Sequence, residues 1–232
     1  MLNSATKKTF ALLSSDKLSA KDNMLTDKSM FESFQASDMP LFRVYEWETS
    51  FTYGVSQKIE MLKDDEHLKK YDDNHAQRMT GGGILFHGND ISYSLVIPTS
   101  YVESLSVKQS YELICGFLMN FYKKLGLEPI YAKDLKDINL SKSHYCQEGF
   151  EPYDILVDGK KIGGNAQRRS KEAIFQHGSI SIDNSTYSMG SSLEDLGVKM
   201  GFKEAKELLI DLFSQSFSVI FEEKGEGVLY AS

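Results

Sequence analysis

An α+β domain is what this sequence predicts, and three observations carry the prediction. Two long stretches repeat apolar residues at helical spacing, near 106–125 and 202–220. Residues 152–183 read as a β-meander of three strands. No internal repeat and no Pro- or Gly-rich linker divides the chain, which holds only four prolines.

The elements follow in order. Residues 1–18 are polar and Lys/Ser-rich and are set apart as an N-terminal extension with no assigned role. Met24, Leu25, Met30, Phe31 and Phe34 then recur at helical spacing, with Ser19 placed to cap them. Phe42, Val44 and Glu46 alternate with Arg43, Tyr45 and Trp47, which is a strand pattern. The stretch TYGVSQKIEMLKD reads as a short helix, and DDEHLKKYDDNHAQ as a solvated loop or helix end. Ile84–His87 and Ile91–Pro98 read as strands joined by the hairpin signal GND. Val107, Tyr111, Ile114, Cys115, Leu118, Tyr122 and Leu125 form one helical stripe, so Cys115 is a core thiol. In the meander, DGK and RSKE are the turns. Phe202 through Phe217 and on to Ile220 trace the last amphipathic helix.

Composition narrows the function classes. With 41% hydrophobic and 25% charged residues, the chain suits a soluble globular protein. A net charge of −7 lacks the basic excess that a nucleic-acid surface needs. Two cysteines build no disulfide framework, and no apolar run spans a membrane, so a cytoplasmic home is expected.

Three constellations can carry chemistry. RMTGGG, Arg78 to Gly83, lets backbone approach a ligand closely, beside a guanidinium suited to a carboxylate, phosphate or acyl carbonyl. A strand follows it, so it is neither a P-loop nor a dinucleotide fingerprint. A bulged strand start explains the glycines equally well. Residues 158–171 carry Lys160, Lys161, Arg168, Arg169 and Lys171 against the single acid Asp158, a local basic surface on an acidic protein. Lys161 precedes Ile162 and the Gly163–Gly164 pair, a setting fit for gripping an acyl carbonyl or phosphate. Third, Cys146 falls in a polar stretch between helix and strand, where a thiol is more reactive than in a core stripe. A small apolar residue that happens to carry sulfur is the alternative. His144 nearby is weak evidence for a pair. His67 and His75 read as solvent-facing, His87 ends a strand, and His177 is either packed in a strand or lines a pocket. No spacing indicates a metal site.

Taken in order, these blocks resemble the lipoate-protein ligase and octanoyltransferase family, which shares its catalytic fold with biotin-protein ligase. Asn23, Met24 and Asp27 match the first helix, and Arg43, Tyr45, Trp47, Gly54 and Gln57 match the strand that follows it. RMTGGGILFH and KKIGGNAQ…QHG match two further blocks, so the resemblance runs from about residue 20 to 222. It implies a mixed, mostly antiparallel sheet flanked by helices, with a second small sheet. It implies one catalytic domain over 19–232 with no C-terminal accessory domain.

The resemblance also implies roles. Arg78, Gly81, Gly82 and Gly83 would line the acyl head-group site, with His87, Asp154 and His177 in the acyl pocket and Lys161 on the acyl carbonyl oxygen. Cys146 stands seven residues before Tyr153, the spacing of cysteine-dependent octanoyltransferases. Such enzymes take octanoate from acyl carrier protein through a thioester, need no cofactor, and deliver it to a lysine of a 2-oxoacid dehydrogenase lipoyl domain or glycine-cleavage H protein. The other chemistry in the family is an ATP- and Mg-dependent ligase acting through an acyl-adenylate. Met79, where many relatives have a second arginine, and the shortened HGND turn are departures. No nucleic acid or membrane partner is expected.

Overall fold

Strands whose two faces are both buried, one dry and one polar, decide this architecture. The computed structural model describes residues 7–61, 66–71, 73–135, 149–185 and 190–225. The chain runs through β1 (Lys8–Leu18), α1 (Ala20–Glu32), β2 (Leu41–Trp47), β3 (Ser50–Tyr53), α2 (Glu66–Lys69) and β4 (His75–Gln77). It continues with β5 (Leu85–His87), β6 (Asp90–Pro98), α3 (Val107–Lys124), β7 (Pro129–Tyr131), β8 (Ile155–Val157) and β9 (Lys160–Lys161). β10 (Gly163–Arg169), β11 (Ala173–Ser181), α4 (Phe202–Phe217) and β12 (Val219–Glu223) complete it.

The large sheet has the order β10-β11-β6-β2-β1-β12. The first four strands are antiparallel, and β1 runs parallel to both β2 and β12. Two three-stranded sheets, β4-β3-β5 and β7-β8-β9, stand beside it. The mixed, mostly antiparallel sheet is therefore as expected, with two small sheets rather than one.

Side chains alternate across the strands. Phe10, Phe42, Val44, Ile91, Tyr93 and Leu95 meet α3 and α4 in a dry core. There the Phe42 and Phe213 rings stack at 4.0 Å, and Phe117 meets Phe42 edge-on at 6.0 Å. Arg43, Tyr45, Ser92, Ser94 and His177 occupy the opposite face, toward α1, and hydrogen-bond there. Ser19 caps α1 as expected, its Oγ accepting from the Asp22 N–H at 3.1 Å. α3 carries a capping box between Ser106 and Gln109.

Five local readings need correction. Residues 152–183 are not one meander of three strands but four strands in two sheets, β8 and β9 in a small one and β10 and β11 in the large one. The polar N-terminal stretch holds β1, because Phe10 to Leu13 are enough apolar residues for a buried strand between two partners. TYGVSQKIEMLKD is not one helix. Its start pairs as β3, and only a single 3-10 turn at Ile59–Met61 follows. β5 and β6 do not form a hairpin, since β5 pairs with β3 while β6 joins the large sheet. The last helix stops at Phe217, where Ser218 turns left-handed (φ 52°), so Ile220 lies exposed in β12. Among the described residues, no helix is long and apolar enough to cross a membrane.

The aromatic core predicts that Phe42→Ala costs about 3–5 kcal/mol in chemical denaturation. The same change at exposed Leu25 should stay within about 0.5 kcal/mol. Equal losses at the two sites would contradict the assignment.

Candidate active site

A cavity of about 580 Å³ opens on the polar face of the sheet, within the roughly 300–1,000 Å³ typical of small-molecule sites. It crosses β10, β11, β6 and β2, with Lys161 and Asp154 on one wall, the 81–83 glycines on another, and Tyr45 and Trp47 among the apolar lining.

The first wall comes from the small sheet. Lys161 on β9 is buried, and its Nζ donates to Asp154 Oδ2 at 2.6 Å and to the Gly149 carbonyl at 3.2 Å. The same Asp154 oxygen accepts from the Glu151 N–H at 2.7 Å. Burial pushes the Asp154 carboxyl up, while the Lys161 ammonium and the Glu151 N–H pull it back. A buried lysine held this way presents a fixed positive charge to the cavity.

The second wall is the glycine loop. Arg78 donates to Thr52 Oγ1 at 2.7 Å and to the carbonyls of Gly83 at 2.5 Å and Gly81 at 3.4 Å. With those carbonyls held, the amides of Gly81, Gly82 and Gly83 make no hydrogen bond among the described residues, which leaves donors for a ligand. Gly82 is left-handed (φ 102°). A Cβ on Gly54 would stand 2.1 Å from the Gly82 carbonyl oxygen, so both positions require glycine.

Two buried histidine relays hold this loop from opposite sides. His177 Nδ1 lies 3.3 Å from Asp27 Oδ2, and its Nε2 lies 2.7 Å from Thr80 Oγ1. Because a carboxylate only accepts, Nδ1 carries the proton and Nε2 accepts from the Thr80 hydroxyl. His87 Nδ1 lies 2.8 Å from Asp90 Oδ2, and its Nε2 is 2.8 Å from Thr52 Oγ1, the hydroxyl that accepts from Arg78. Trp47 stacks on the His87 ring at 3.7 Å. Asp27 also accepts from Arg43 at 3.2 Å, Ser94 at 2.7 Å and Tyr45 at 3.1 Å.

The structure thus brings Arg78, Gly81, Gly82, Gly83, His87, Asp154, Lys161 and His177 to one cavity. Cys146 and His144 lie outside the described residues. His177 is both packed in a strand and pocket-lining. His67 is exposed, but His75 is half-buried and stacks on Phe51 at 5.1 Å. Cys115 is buried, and burial pushes its thiol up to about 12, an inert core group. In the basic stretch, Arg168 donates to the Met79 carbonyl at 2.8 Å and so ties β10 to the glycine loop, while Lys160 and Lys171 are exposed. Among the described residues, no cluster of His, Cys, Asp or Glu is placed to hold a metal ion. Sequence reading did not single out Thr52, Thr80, Asp90 or Asn165. Thr80, Asp90 and Asn165 do lie inside stretches already recognised, RMTGGG, GND and KKIGGNAQ.

A family model described as the lipoyl protein ligase A/B catalytic domain matches residues 19–214. This chain belongs to that family. Among the relatives of this lipoyl ligase family member, octanoyltransferase LipM of Bacillus cereus is 32% identical over 187 residues, 76% of this chain and 66% of the relative. Octanoyltransferase LipM of Bacillus subtilis is 28% identical over 185 residues, with the same shares. The chain therefore spans just under two thirds of the length of these relatives. Lipoate-protein ligase A bound with ATP superposes with a TM-score of 0.71 at 21% identity, covering 97% of this chain and 92% of the other. The bipartite lipoate protein ligase of Thermoplasma acidophilum gives 0.70 at 18%, covering 96% and 90%. At these identities the likeness establishes the catalytic fold.

Burial of His177, only partly offset by Asp27, has a pH consequence. Burial lowers the His177 pKa below its usual 6.5, so the unfolded chain binds more protons as pH drops below that value. His177 thus withdraws stability as pH falls from 6.5 through its folded-state pKa. Urea unfolding of His177→Asn should lose less stability between pH 7 and pH 5 than the wild type. Identical losses would contradict the burial of His177 as the source of this pH dependence.

Proposed function

We propose that this lipoyl ligase family member is an octanoyltransferase that carries octanoate from acyl carrier protein, through a Cys146 thioester, to a lysine of a lipoyl domain or glycine-cleavage H protein. The observation that carries this reading is the buried Lys161, held by Asp154 and the Gly149 carbonyl and facing the glycine loop across one cavity. In the sequence, Cys146 stands three residues before Gly149, whose carbonyl receives Lys161. Relatives named octanoyltransferase, at 28–32% identity, support the same chemistry.

In the first half-reaction the Cys146 sulfur attacks the thioester carbonyl of the donor. The acyl–sulfur bond to the carrier breaks, and the Cys146 proton ends on the carrier thiol. Lys161 and the glycine-loop amides face the oxygen that becomes negative, where fixed donors in a site shielded from water are most effective. In the second half-reaction a neutral lysine amine attacks the acyl-enzyme. The amide forms, the sulfur leaves, and the amine's proton returns to it. Neither half consumes ATP: the first exchanges one thioester for another, and the free energy of the thioester then drives amide formation in the second. The exposed Lys160 and Lys171 suit acidic carrier partners, and a cytoplasmic reaction is part of this reading.

Intact mass spectrometry after mixing with octanoyl-acyl carrier protein tests this. A hydroxylamine-sensitive octanoyl adduct is expected on the wild type and not on Cys146→Ser. Lys161→Ala should slow its formation by about 10²–10³-fold. An adduct unaffected by Cys146→Ser would overturn the thioester route.

A further inference from the structure

One hydrogen-bond chain on β10 and β11 serves neither histidine relay. It begins at Arg169, whose Nε and Nη2 both donate to Gln167 Oε1 at 3.3 Å. A guanidinium has no acceptor, so this atom of Gln167 is its oxygen and the opposite atom its nitrogen. That nitrogen donates to Gln176 Oε1 at 2.6 Å. Gln176 is fully buried, and its own Nε2 must then donate, to the Tyr93 hydroxyl at 2.6 Å and to Cys115 Sγ at 3.5 Å. With its oxygen accepting, Tyr93 turns its proton to Asn165 Oδ1 at 2.8 Å. Burial pushes the Tyr93 phenol well above its usual range, so it keeps that proton.

Arg169 fixes the direction as far as Tyr93, and only the Asn165 oxygen then gives the buried phenol proton an acceptor among the described residues, so the chain ends with that oxygen occupied. Asn165 Nδ2 makes no hydrogen bond among the described residues, and Asn165 lines the cavity that Lys161 lines. The backbone leaves room for this placement. A Cβ on Gly178 would stand 2.1 Å from Asn165 Oδ1 and 2.7 Å from the Tyr93 ring. The glycine after His177 is what allows Asn165 to lie across β11.

We propose that Asn165 is a further catalytic residue, its Nδ2 donating to the carbonyl oxygen of the bound acyl group beside Lys161. This rests on the acyl-transfer reading above. Tyr93, Gln176, Gln167 and Arg169 are positioning residues that hold the amide with its nitrogen toward the substrate. A carboxamide donor adds directionality that a lysine ammonium lacks, and it remains a donor at any pH.

Single-turnover acylation by octanoyl-acyl carrier protein decides the matter, followed by mass spectrometry over a range of donor concentrations. Asn165→Ala should lower the maximal acylation rate about 10²-fold, with half-saturation by donor changing less than about threefold. Asn165→Ser, which restores a short donor, should recover at least about tenfold of that loss. Tyr93→Phe should slow acylation by a smaller factor, again without altering half-saturation. Should Asn165→Ala fail to fold, Asn165→Asp keeps the acceptor for Tyr93 and replaces the donor with an acceptor-only carboxylate oxygen. Wild-type acylation matched within about threefold by Asn165→Ala, or by Asn165→Asp in its place, overturns this proposal alone. A wild type that takes up no octanoyl group overturns the acyl-transfer reading and this proposal with it.

Discussion

A guanidinium donates hydrogen bonds and never accepts them, and three arginines use that one-sidedness to set the polarity of the whole site. Arg43, fully buried, donates to Asp27, which then has only acceptor oxygens to offer Tyr45, Ser94 and His177. Arg78 donates to Thr52, which turns its proton to His87 and so leaves the His87 Nδ1 proton for Asp90. Arg169 starts the chain that ends at Asn165. Remove a guanidinium and the amides and imidazoles beyond it lose their reason to point one way.

Segregation of the sheet's two faces makes this affordable in free-energy terms. The face toward α3 and α4 is aromatic and aliphatic apart from the Gln176–Tyr93 link, and it supplies the burial that stabilises the fold. The face toward α1 can then hold Arg43, Asp27, Asp90, His87 and His177 out of water, because each has its partners. A polar face so thoroughly bonded is rigid, and the glycine loop inherits that rigidity through Thr80 and Arg78. The loop amides and Lys161 therefore meet a ligand already oriented, with little reorganisation left for the reaction.

How much of this could be read beforehand follows from the range of each interaction. Ser19 capping its helix, the 107–124 stripe and the RSKE turn are local, and each lies where the sequence places it. Arg78, Lys161 and His177 are singled out by the sequence because they sit within ordered blocks. β1 carries no strand signal in the sequence because its apolar run, Phe10 to Leu13, is short and flanked by lysines and serines, and only pairing with β2 and β12 makes it a strand. Asp27 and Asp90 carry no local signature of being hubs, since their partners lie up to 150 residues away. Asn165 was hidden for the same reason. Its orientation depends on Tyr93 and Gln176, on two other strands. The split of β5 from β6 is likewise invisible to a turn signal, which reports a reversal of the chain and not which sheet each strand joins.

Transfer without nucleotide is the most direct test of the central claim. Purified protein, octanoyl-acyl carrier protein and an unmodified lipoyl domain should yield octanoyl-lysine on that domain with ATP and magnesium left out. No transfer from the carrier, together with octanoate-dependent pyrophosphate release when free octanoate and ATP are supplied, would contradict the account and make the same pocket that of a ligase.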